Sequence, residues 1–471
     1  MIPNAPNSSK RWMQEHSNSL GGFNLREICL PSSHDAGTYR KEFGTSFGTE
    51  GNVLTQTKSI YEQLELGVRF FDIRPTLAVP PGKNEGTWNC GHYTGEGADK
   101  IGWQGASCAP LRDVISDINQ FTKENEELII LNITHIYHIK IRGPTDSSLE
   151  PLVSSQFDEL FDILAKLDHR FLMRNSPAEG KQVQNYTLNE FIGNKRAAVV
   201  VIIEQHVAKH ALRESIVKRG FWPSETLTGK PYLFLRDHSV TRMQSTTDAI
   251  HSTIDFFGVF GGNSKSVLSL AEAEQRKRFP WVLQEMIKGG LDFSVISMDR
   301  IETPDLFTFC LAISLKRYSN GRTIAVYGGT VITNSRVISD IEEAIRNGKP
   351  YAVNNTNFTD TWQNMPKSCA VLYDHNGRTK GRFAREGDYL HFEQDILSVR
   401  YGGKDVLTNK LYLKLLMAME NKEGYPTTNE SLSPQGDPDK GVVKTCSISF
   451  RRSNERDVQE KNFREGDVIR F

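Results

Sequence analysis

Residues 30–39 read Leu-Pro-Ser-Ser-His-Asp-Ala-Gly-Thr-Tyr, and the fold class is argued from this stretch. Residues 25–30, Leu-Arg-Glu-Ile-Cys-Leu, predict a strand that ends at the Pro-Ser-Ser sequence. Two titratable side chains, His34 and Asp35, follow that strand directly. In parallel α/β sheets the functional side chains lie at the carboxyl ends of strands. The pattern therefore indicates a strand end that carries chemistry.

Similar strand ends occur further along the chain. Residues 67–74 read Gly-Val-Arg-Phe-Phe-Asp-Ile-Arg and bring Asp72 and Arg74, and residues 90–93 read Cys-Gly-His-Tyr and bring His92. We expect the side chains from these strand ends to converge on one cleft.

The pattern around these motifs predicts an α/β protein. From about residue 20 to residue 345, short apolar runs alternate with amphipathic stretches of helical period. Strands that alternate with helices favour a parallel sheet with crossover connections. Seven or eight such units are most economically arranged as a distorted (β/α) TIM-type barrel.

The last part of the chain has a different texture. Residues 351–471 are rich in Asn, Thr, Gly and charges, with short alternating runs that predict an antiparallel β-sandwich. We therefore expect a catalytic barrel over residues 1–348 and an accessory domain over 349–471 that binds a membrane, a glycan or a partner. Arg-Glu-Gly-Asp occurs at 385–388 and again at 464–467, which fits either a true repeat or a shared tight turn.

Composition excludes some functions. Lys plus Arg and Asp plus Glu are 57 each in 471 residues, so the formal charge is zero, which removes the bulk electrostatic case for nucleic acid. No stretch approaches the roughly 20 apolar residues of a membrane-spanning helix. The first residues do not form an ordinary signal peptide. We expect a secreted or membrane-peripheral protein exported by a route that the sequence does not show, with the cytoplasm as the alternative.

The six cysteines include no Cys-x-x-Cys pair, which argues against a structural zinc site. Cys90 and Cys108 flank a Gly-rich loop. They are either free thiols or a bridged pair, and the sequence leaves both readings open.

The side chains at the predicted strand ends suit phosphoryl chemistry. Two imidazoles on opposite sides of a phosphorus can act as base and acid. An arginine fork between them can hold the phosphate oxygens and neutralise developing charge. Carboxylates beside the imidazoles fix their tautomers. No covalent nucleophile is needed if the substrate supplies a hydroxyl group.

These three blocks, in this order, resemble the X-domain of phosphatidylinositol-specific phospholipase C (PI-PLC) in its bacterial form. The resemblance covers about residues 20–320 and includes Val-Ile-Ser-Met-Asp at 295–299. It implies a barrel phosphodiesterase in which the inositol 2-hydroxyl attacks phosphorus. The products would be diacylglycerol and inositol 1,2-cyclic phosphate.

The resemblance also implies a role for each matching residue. His34 would be the general base, His92 the general acid, and Arg74 the group that binds the phosphate. Three carboxylates would support them: Asp299 would hydrogen-bond His34, Asp35 would support His92, and Asp72 would organise Arg74.

The same comparison bears on a metal. In the eukaryotic branch of the superfamily, calcium is held by an amide beside the first histidine and by carboxylates on the next strands. Here an arginine, Arg74, stands where one acid is expected, and Thr134-His135 replaces another. A guanidinium repels a cation that needs six to eight oxygen ligands. We expect no cofactor and no metal ligands, with calcium as the alternative.

The sequence leaves the identity of the substrate headgroup open. Thr134 and His135 follow the predicted strand 128–133, where the bacterial pattern has a basic residue that grips inositol. Arg236 and Asp237 are candidate substitute contacts. Phosphatidylinositol, a glycosylated inositol anchor, or another phosphodiester with a neighbouring hydroxyl would all be compatible with these residues.

A membrane contact is predicted at a Phe- and Gly-rich segment. Phe256, Phe257 and Phe260 stand before glycines, as in a rim loop whose aromatic side chains insert into an interface. The same residues would equally suit the core of a strand. The expected partner is a phospholipid surface, and the oligomeric state is left open.

Two other functions compete with this prediction. One is a metal-dependent glycerophosphodiester or sphingomyelinase D-like phosphodiesterase, against which Arg74 argues. The other is a barrel that binds inositol lipids without turnover and serves in targeting. The presence of both histidines and the arginine argues against that second function.

Overall fold

The protein is described by a computed structural model. The structure describes residues 2, 4–93, 102–173, 181–204, 210–224, 266–268, 294–375, 378–392, 394–420, 422–452 and 457–471.

A six-stranded parallel sheet forms the centre of the amino-terminal part. Its spatial order is β11-β10-β7-β3-β1-β12. The strands are β1 Leu30–Ser33, β3 Phe70–Ile73, β7 Leu128–Ile133, β10 Ala198–Ile203, β11 Trp222–Pro223 and β12 Val295–Met298. Runs such as Ala-Val-Val-Val-Ile-Ile in β10 are buried throughout, as expected for parallel strands that are covered on both faces.

The parallel sheet confirms the predicted α/β class for this part of the chain. The chain between β11 and β12 lies mostly outside the described residues, so closure into a complete barrel stays a prediction. Within the described residues, no helix is long and apolar enough to cross a membrane.

A second six-stranded sheet continues from the carboxyl ends of the first, in the order β2-β6-β5-β4-β8-β9. The strands are β2 Phe43–Gly44, β4 Pro75–Val79, β5 Thr87–Tyr93, β6 Gly105–Pro110, β8 Tyr137–Ile141 and β9 Ser147–Glu150. Strand β4 begins one residue after Arg74, and β8 begins shortly after β7 ends. These two strands pair in parallel, as β3 and β7 do, and the other pairs are antiparallel.

The described helices of the amino-terminal part are mostly short. They are α1 Asn7–Lys10, α2 Trp12–Glu15, α3 Ser17–Leu20, α4 Glu50–Val53, α5 Ile60–Glu65, α6 Leu111–Glu124, α7 Ser154–Leu164, α8 Leu188–Ile192, α9 His210–Lys218 and α10 Asp305–Lys316, with one 3₁₀ turn at Val183–Asn185. Helix α6 buries one apolar stripe, as its period predicts. Helix α5 starts in a capping box between Ser59 and Glu62.

A buried ion pair joins the amino terminus to the parallel sheet. Arg69, just before β3, donates from Nε to Glu127 Oε2 at 3.0 Å and from Nη2 to the Ser9 carbonyl at 3.0 Å. Glu127 in turn accepts from the main-chain amides of Met13 and Gln14. Because every charge has hydrogen-bonding partners, the pair can be buried without an uncompensated charge.

The carboxy-terminal part contains two copies of one α+β module, which settles the question left open by the repeated Arg-Glu-Gly-Asp. The first module spans about residues 324–392 and the second about residues 396–471. Each has a four-stranded antiparallel sheet, in the order β14-β13-β16-β17 or β20-β19-β22-β23. Each also has a two-stranded pair, β15-β18 or β21-β24.

The elements of the modules follow each other in the same order. In the first they are β13 Ile324–Tyr327, β14 Thr330–Val331, α11 Ser335–Asn347, β15 Tyr351–Ala352, α12 Asn355–Phe358, β16 Ser368–His375, β17 Arg378–Arg385 and β18 Tyr389–Leu390. In the second they are β19 Asp395–Tyr401, β20 Lys404–Asp405, α13 Asn409–Glu420, β21 Tyr425–Pro426, α14 Asn429–Leu432, β22 Thr445–Arg451, β23 Gln459–Arg464 and β24 Val468–Ile469.

Register and sequence agree between the copies. Tyr327 pairs with Cys369 in the first module, and Tyr401 pairs with Cys446 in the second. Each tyrosine is followed by two glycines with positive φ, and each cysteine stands two residues after a lysine. Equal register at matching residues identifies a true repeat and excludes a coincidence of turns.

The matching lysines are buried in the same kind of cluster. Lys367 Nζ lies 3.0 Å from Asp360 Oδ1 and 3.3 Å from Glu386 Oε2. Lys444 Nζ lies 2.9 Å from Asp437 Oδ1 and 3.3 Å from Glu465 Oε2. In both modules the lysine ties the loop before the third strand to the Arg-Glu-Gly-Asp turn.

The copies differ on the sheet face that points away from their own helix. In the first module this face carries Val326, Ala370 and Leu372, which join the core beside α10. The register places Arg400, Ser447 and Ser449 at the equivalent positions of the second module, where Arg400 is exposed. The first module is therefore anchored to the amino-terminal part through a face that is polar in the second.

These contacts bear on two expectations. The sheet of the first module and its core both cross residue 348, because β13 pairs with β16 and Ile341 packs with Val371. The expected domain division at 348/349 stays a prediction, and the described pairing does not break there. A β-sandwich is not confirmed: the described sheets share their buried clusters with helices.

Candidate active site

The parallel sheet brings the predicted strand-end residues to one edge. Ser33 of β1 is in register with Met298 of β12 and with Phe71 of β3. Ile73 of β3 is in register with Ile133 of β7, which is in register with Ile203 of β10. The residues that follow these positions are therefore neighbours across the sheet edge. They are His34, Asp299, Arg74, Thr134 and Glu204.

His34 is held between a carboxylate and a guanidinium. Its Nδ1 lies 2.7 Å from Asp299 Oδ1, and its Nε2 lies 2.6 Å from Arg74 Nη2. A guanidinium can only donate, so Nε2 is the acceptor and the proton of a neutral imidazole is on Nδ1, facing Asp299. In this tautomer the Nε2 lone pair is directed at Arg74, and an imidazole with a free Nε2 could act as a general base.

Arg74 contacts His34 and lies beside the carboxylates of Asp72 and Asp35. Its Nε donates to Asp72 Oδ2 at 3.1 Å, and its Nη2 lies 3.0 Å from the same oxygen. Its Nη1 lies 3.5 Å from Asp35 Oδ2. The fork is therefore fixed by carboxylates, while its side chain keeps 16% of its surface exposed. Such a group can present fixed donors to an anion without reorganising.

Asp72 is buried and ionised. Burial opposes its ionisation, but Arg74, followed by His34 and His135, outweighs burial and lowers the pKa of Asp72 to about 2. Its other oxygen, Oδ1, accepts from Thr134 Oγ1 at 2.6 Å. Asp72 therefore supplies a permanent negative charge that anchors the arginine.

Asp35 occupies a strained and solvent-free position. Its φ is 46°, in the left-handed region that residues other than glycine rarely adopt. Among the described residues neither carboxylate oxygen has a hydrogen-bond partner, although Arg74 and His92 each lie 3.5 Å from Oδ2. Burial raises the pKa of Asp35 to about 6, and Arg74 and His34 offset this only in part. A strained buried carboxyl of this kind points to function more than to stability.

His92 reaches the site from the second sheet. It lies within β5 and not at the end of a parallel strand, so the expectation that it follows a barrel strand was wrong. Its Nδ1 lies 2.9 Å from the Val53 carbonyl, an acceptor, so Nδ1 carries a proton. The opposite nitrogen, Nε2, is then the one that can exchange a proton with a substrate.

A close backbone approach places β5 against the first motif. A Cβ at Gly37 would lie 2.1 Å from Cys90 Sγ, so only glycine fits there. All six cysteines are buried free thiols, and Cys90 and Cys108 are not bridged. The Gly37 position therefore determines how near β5, and with it His92, comes to Asp35.

Thr134 and His135 lie where the sequence placed them. Thr134 is bonded to Asp72, and His135 Nδ1 lies 3.1 Å from Thr134 Oγ1. Burial and Arg74 lower the pKa of His135 despite the nearby Asp72. The His135 amide donates to Glu204 Oε2 at 3.1 Å. A contact with substrate stays a prediction for both residues.

The remaining predicted contacts lie outside the described residues. They are the substrate contacts Arg236 and Asp237 and the membrane contacts Phe256, Phe257 and Phe260.

The sequence did not reveal a short segment that supports the site, Val53-Leu54-Thr55-Gln56. Thr55 Oγ1 donates to the Asp35 carbonyl at 3.1 Å, and Gln56 Nε2 donates to the His34 carbonyl at 2.9 Å. These residues follow no periodic pattern and carry no titratable group. Only their position in the fold connects them with the histidines.

The region where a metal ion would be expected contains a guanidinium. Among the described residues, no group of three or more His, Cys, Asp or Glu side chains could hold a metal ion. Arg74 lies between Asp35 and Asp72, the carboxylates on which a calcium site would depend. A metal ion there would have to displace a positive charge that bonds Asp72 at 3.0–3.1 Å and lies 3.5 Å from Asp35.

Comparisons with known proteins point to one group. No protein-family model matches the chain. It is 28% identical over 141 residues to a PI-PLC X-box domain-containing protein of Dictyostelium discoideum, covering 27% of this chain and 17% of that protein. It is 24% identical over 151 residues to PI-PLC X domain-containing protein 3 of Danio rerio, covering 27% of this chain and 42% of that protein. The chain thus spans less than half the length of these relatives.

Solved structures give a weaker similarity. The phosphatidylinositol-specific phospholipase C of Listeria monocytogenes aligns with a TM-score of 0.36 and 17% identity, over 66% of this chain and 98% of that one. The enzyme of Staphylococcus aureus aligns with a TM-score of 0.36 and 15% identity, over 63% and 92%. The curated relatives confirm the resemblance read from the motifs: this chain is similar to proteins with a PI-PLC X domain.

Proposed function

We propose that the protein is a PI-PLC-like phosphodiesterase that cleaves the glycerol–phosphate bond of an inositol phospholipid. The observation that carries the proposal is the order of groups along the site: His34, Arg74, Asp35, His92. Each lies within 3.5 Å of the next. A phosphate bound at Arg74 would therefore lie between the imidazole of His34 and the imidazole of His92.

In this proposal His34 is the general base. The Nδ1 proton stays with Asp299, and Nε2 takes the proton of the inositol 2-hydroxyl as its oxygen attacks phosphorus. Arg74 already donates to that nitrogen, so it moves its donor to a phosphate oxygen when substrate binds. As charge develops on the phosphate, the fork stabilises it, an effect commonly worth 10²–10³ in kcat per donor.

His92 is the general acid. With Nδ1 bonded to the Val53 carbonyl, a protonated His92 gives the Nε2 proton to the leaving glycerol oxygen. Asp35, next to it, favours the cationic imidazole when ionised. The bond from phosphorus to the glycerol oxygen breaks as the bond to the 2-hydroxyl oxygen forms, so diacylglycerol leaves and the 1,2-cyclic phosphate remains.

The proposal includes metal independence. Arg74 supplies the positive charge that calcium would otherwise supply, and it sits between the carboxylates on which a cation would depend. A membrane is the expected site of action, because the proposed substrate is a phospholipid. Location, oligomeric state and the choice between phosphatidylinositol and a glycosylated inositol anchor are left to experiment.

The test is the release of cyclic inositol phosphate from phosphatidylinositol vesicles, with EDTA and with calcium, for the wild type and for His34→Ala. We expect activity that survives EDTA and falls by ~10²–10⁴ in the variant, the usual worth of an acid–base group. Activity only with calcium would overturn metal independence. No release in either condition would overturn the proposed reaction and favour the lipid-binding alternative.

A further inference from the structure

A four-residue segment that begins at the last residue of α4 contacts the main chain of His34 and the ring of His92. The segment is Val53-Leu54-Thr55-Gln56, and Val53, Thr55 and Gln56 are buried. No titratable group lies in it, so it cannot take part in proton transfer. Its hydrogen bonds to the site go to main-chain atoms and one imidazole nitrogen, and Thr55 also bonds the Thr38 side chain.

Gln56 joins the ends of the two strands that carry the base and its carboxylate. Its Nε2 donates to the His34 carbonyl at 2.9 Å and to the Met298 carbonyl at 3.1 Å. Its Oε1 accepts from the Ile301 amide at 3.0 Å. The amide thus binds the chain on both sides of Asp299 and at His34. The 2.7 Å contact between His34 and Asp299 spans the gap that Gln56 bridges.

Thr55 contacts the main chain of Asp35, the residue with left-handed backbone that follows His34. Its hydroxyl donates to the Asp35 carbonyl at 3.1 Å, and its own carbonyl accepts from the Arg300 amide at 2.7 Å. A left-handed backbone at a residue other than glycine persists only where surrounding contacts fix it. Thr55 is one of those contacts, and it also ties Asp35 to the chain that follows Asp299.

Val53 acts on the other histidine. Its carbonyl accepts the Nδ1 proton of His92 at 2.9 Å. This bond selects the tautomer and the ring orientation that leave Nε2 for the substrate. One short stretch of chain therefore sets the carboxylate partner of the base at one end and the tautomer of the acid at the other.

We propose that residues 53–56 are a positioning segment that holds base and acid in a fixed relation, with Gln56 as its main positioning residue. The inference rests on the proposed function for its catalytic consequence. Its structural part, control of the His34–Asp299 hydrogen bond by Gln56, does not depend on turnover. Small displacements of a reacting group can lower a rate by about 100-fold, so the effect on catalysis is measurable.

The chain offers a matched control in Gln63. This glutamine is also fully buried and also donates from Nε2 to two carbonyls, those of Ala36 at 3.0 Å and Lys58 at 2.7 Å. It does not bond His34, Met298 or Ile301. Gln56→Met and Gln63→Met remove the same kind of group from the same kind of environment. A merely structural role predicts the same behaviour for both variants.

The experiment compares these two variants with Gln56→Asn, which keeps an amide on a shorter side chain. Three quantities are measured for each: the Tm of thermal unfolding, kcat and KM across pH 5–8, and the downfield proton resonance of the His34 ring. For Gln56→Met we expect a 10–100-fold loss in kcat, KM within threefold, a shifted acid limb of the pH profile, and a displaced His34 resonance. For Gln63→Met we expect a lower Tm with kcat within threefold and an unchanged resonance.

Equal losses of kcat in the two methionine variants at equal Tm would overturn the proposal, as would an unchanged His34 resonance in Gln56→Met. If Gln56→Met does not fold, Gln56→Asn replaces it. We then expect a smaller loss in kcat, a smaller shift of the pH profile and a smaller displacement of the His34 resonance. If the wild type shows no turnover, the resonance alone decides, so failure of the reaction and failure of the positioning role are distinguished.

Discussion

Arg74 Nη2 lies 2.6 Å from His34 Nε2, so the proposed phosphate clamp donates to the lone pair of the proposed base. The base is thereby kept neutral and oriented, with Asp299 on its other nitrogen. A phosphate that draws the guanidinium away would uncover the base at the moment the hydroxyl arrives. In the proposed mechanism this contact would link substrate binding to activation of the base.

Arg74→Lys should lower kcat by about 10²–10³ while KM changes by less than tenfold. An ammonium keeps one charge but cannot contact His34, Asp72 and Asp35 at once, because it lacks the planar fork. Steady-state kinetics on phosphatidylinositol vesicles measures this. Arg142→Lys, at an exposed ion pair, is the control and should be unchanged. A lysine variant with kcat within threefold of wild type would contradict the clamp.

Asp35→Asn should increase stability at neutral pH while reducing activity. The pKa of Asp35 is raised from 3.8 to about 6, so its contribution to stability is complete below about pH 3.8 and is lost as pH rises through about 6. Relative to wild type, the variant should gain up to about 3 kcal/mol between pH 4 and pH 8. It should lose activity because His92 no longer has an anion beside it.

Thermal unfolding at pH 4, 6 and 8 measures that gain, with the exposed Asp146→Asn as control. A stability difference that stays constant over this range would show that Asp35 titrates normally. A gain in stability without loss of activity would remove Asp35 from the proposed mechanism.

Gly37→Ala should reduce kcat by disturbing His92, and Cys90→Gly should restore it. The added methyl would meet Cys90 Sγ at 2.1 Å and Cys90 Cβ at 2.5 Å, while the Cys90 Cα is 4.0 Å away. Removing the whole Cys90 side chain therefore makes room. Gly22→Ala, where no atom lies within 4 Å, should be neutral.

A double-mutant cycle on kcat and Tm checks this pair. We expect the double variant to recover at least part of the loss of the Gly37→Ala variant. Strictly additive losses would mean that the contact between the first motif and β5 does not set the position of His92.

Truncation should depend on where it falls in the repeat. Removal of residues 393–471 takes away the second module and leaves the β13–β16 pairing intact. We expect a soluble protein with kcat on a monomeric substrate within threefold of wild type. Removal of 351–471 cuts through the first module and uncovers the apolar face beside α10, so this fragment should aggregate or lose its cooperative transition.

Soluble yield, thermal unfolding and size-exclusion chromatography separate these outcomes. If the 1–350 fragment unfolds at the same temperature as the 1–392 fragment, the first module is not part of the folded unit. Vesicle binding by the 1–392 fragment tests separately whether the second module contributes to membrane attachment.

Local sequence was sufficient for the parallel α/β part and for most of the candidate site. The strands at 70–73 and 128–133 have apolar runs bounded by turns, and their carboxyl ends meet because parallel strands share an edge. The strand predicted at 25–30 was wrong in position: residues 25–28 form turns and a bend, and β1 covers Leu30–Ser33, so it still ends directly before His34. His34, Asp72, Arg74 and Thr134 could be assigned to strand ends on this ground, whereas Asp299 was assigned through the resemblance. The chemistry of imidazole, guanidinium and carboxylate then limited the reactions to consider.

The carboxy-terminal part shows where a local argument is insufficient. Short alternating runs predict strands, but the partner of a strand depends on long-range pairing, so the predicted sandwich is not confirmed and the division at 348/349 stays a prediction. The pairing of β13 with β16 crosses that point. Helix α13, Asn409–Glu420, was not predicted either, although it packs on the second module's sheet.

The sequence by itself determined which groups are available for chemistry and which strand ends carry them, because residue identity and periodicity are local properties. Only the tertiary structure decided that His92 enters from a second sheet and that Asp35 is strained and desolvated. It also decided that Val53, Thr55 and Gln56 hold the site from a segment without any motif. Burial, tautomer selection and main-chain contacts arise between residues distant in sequence, so no local pattern could specify them.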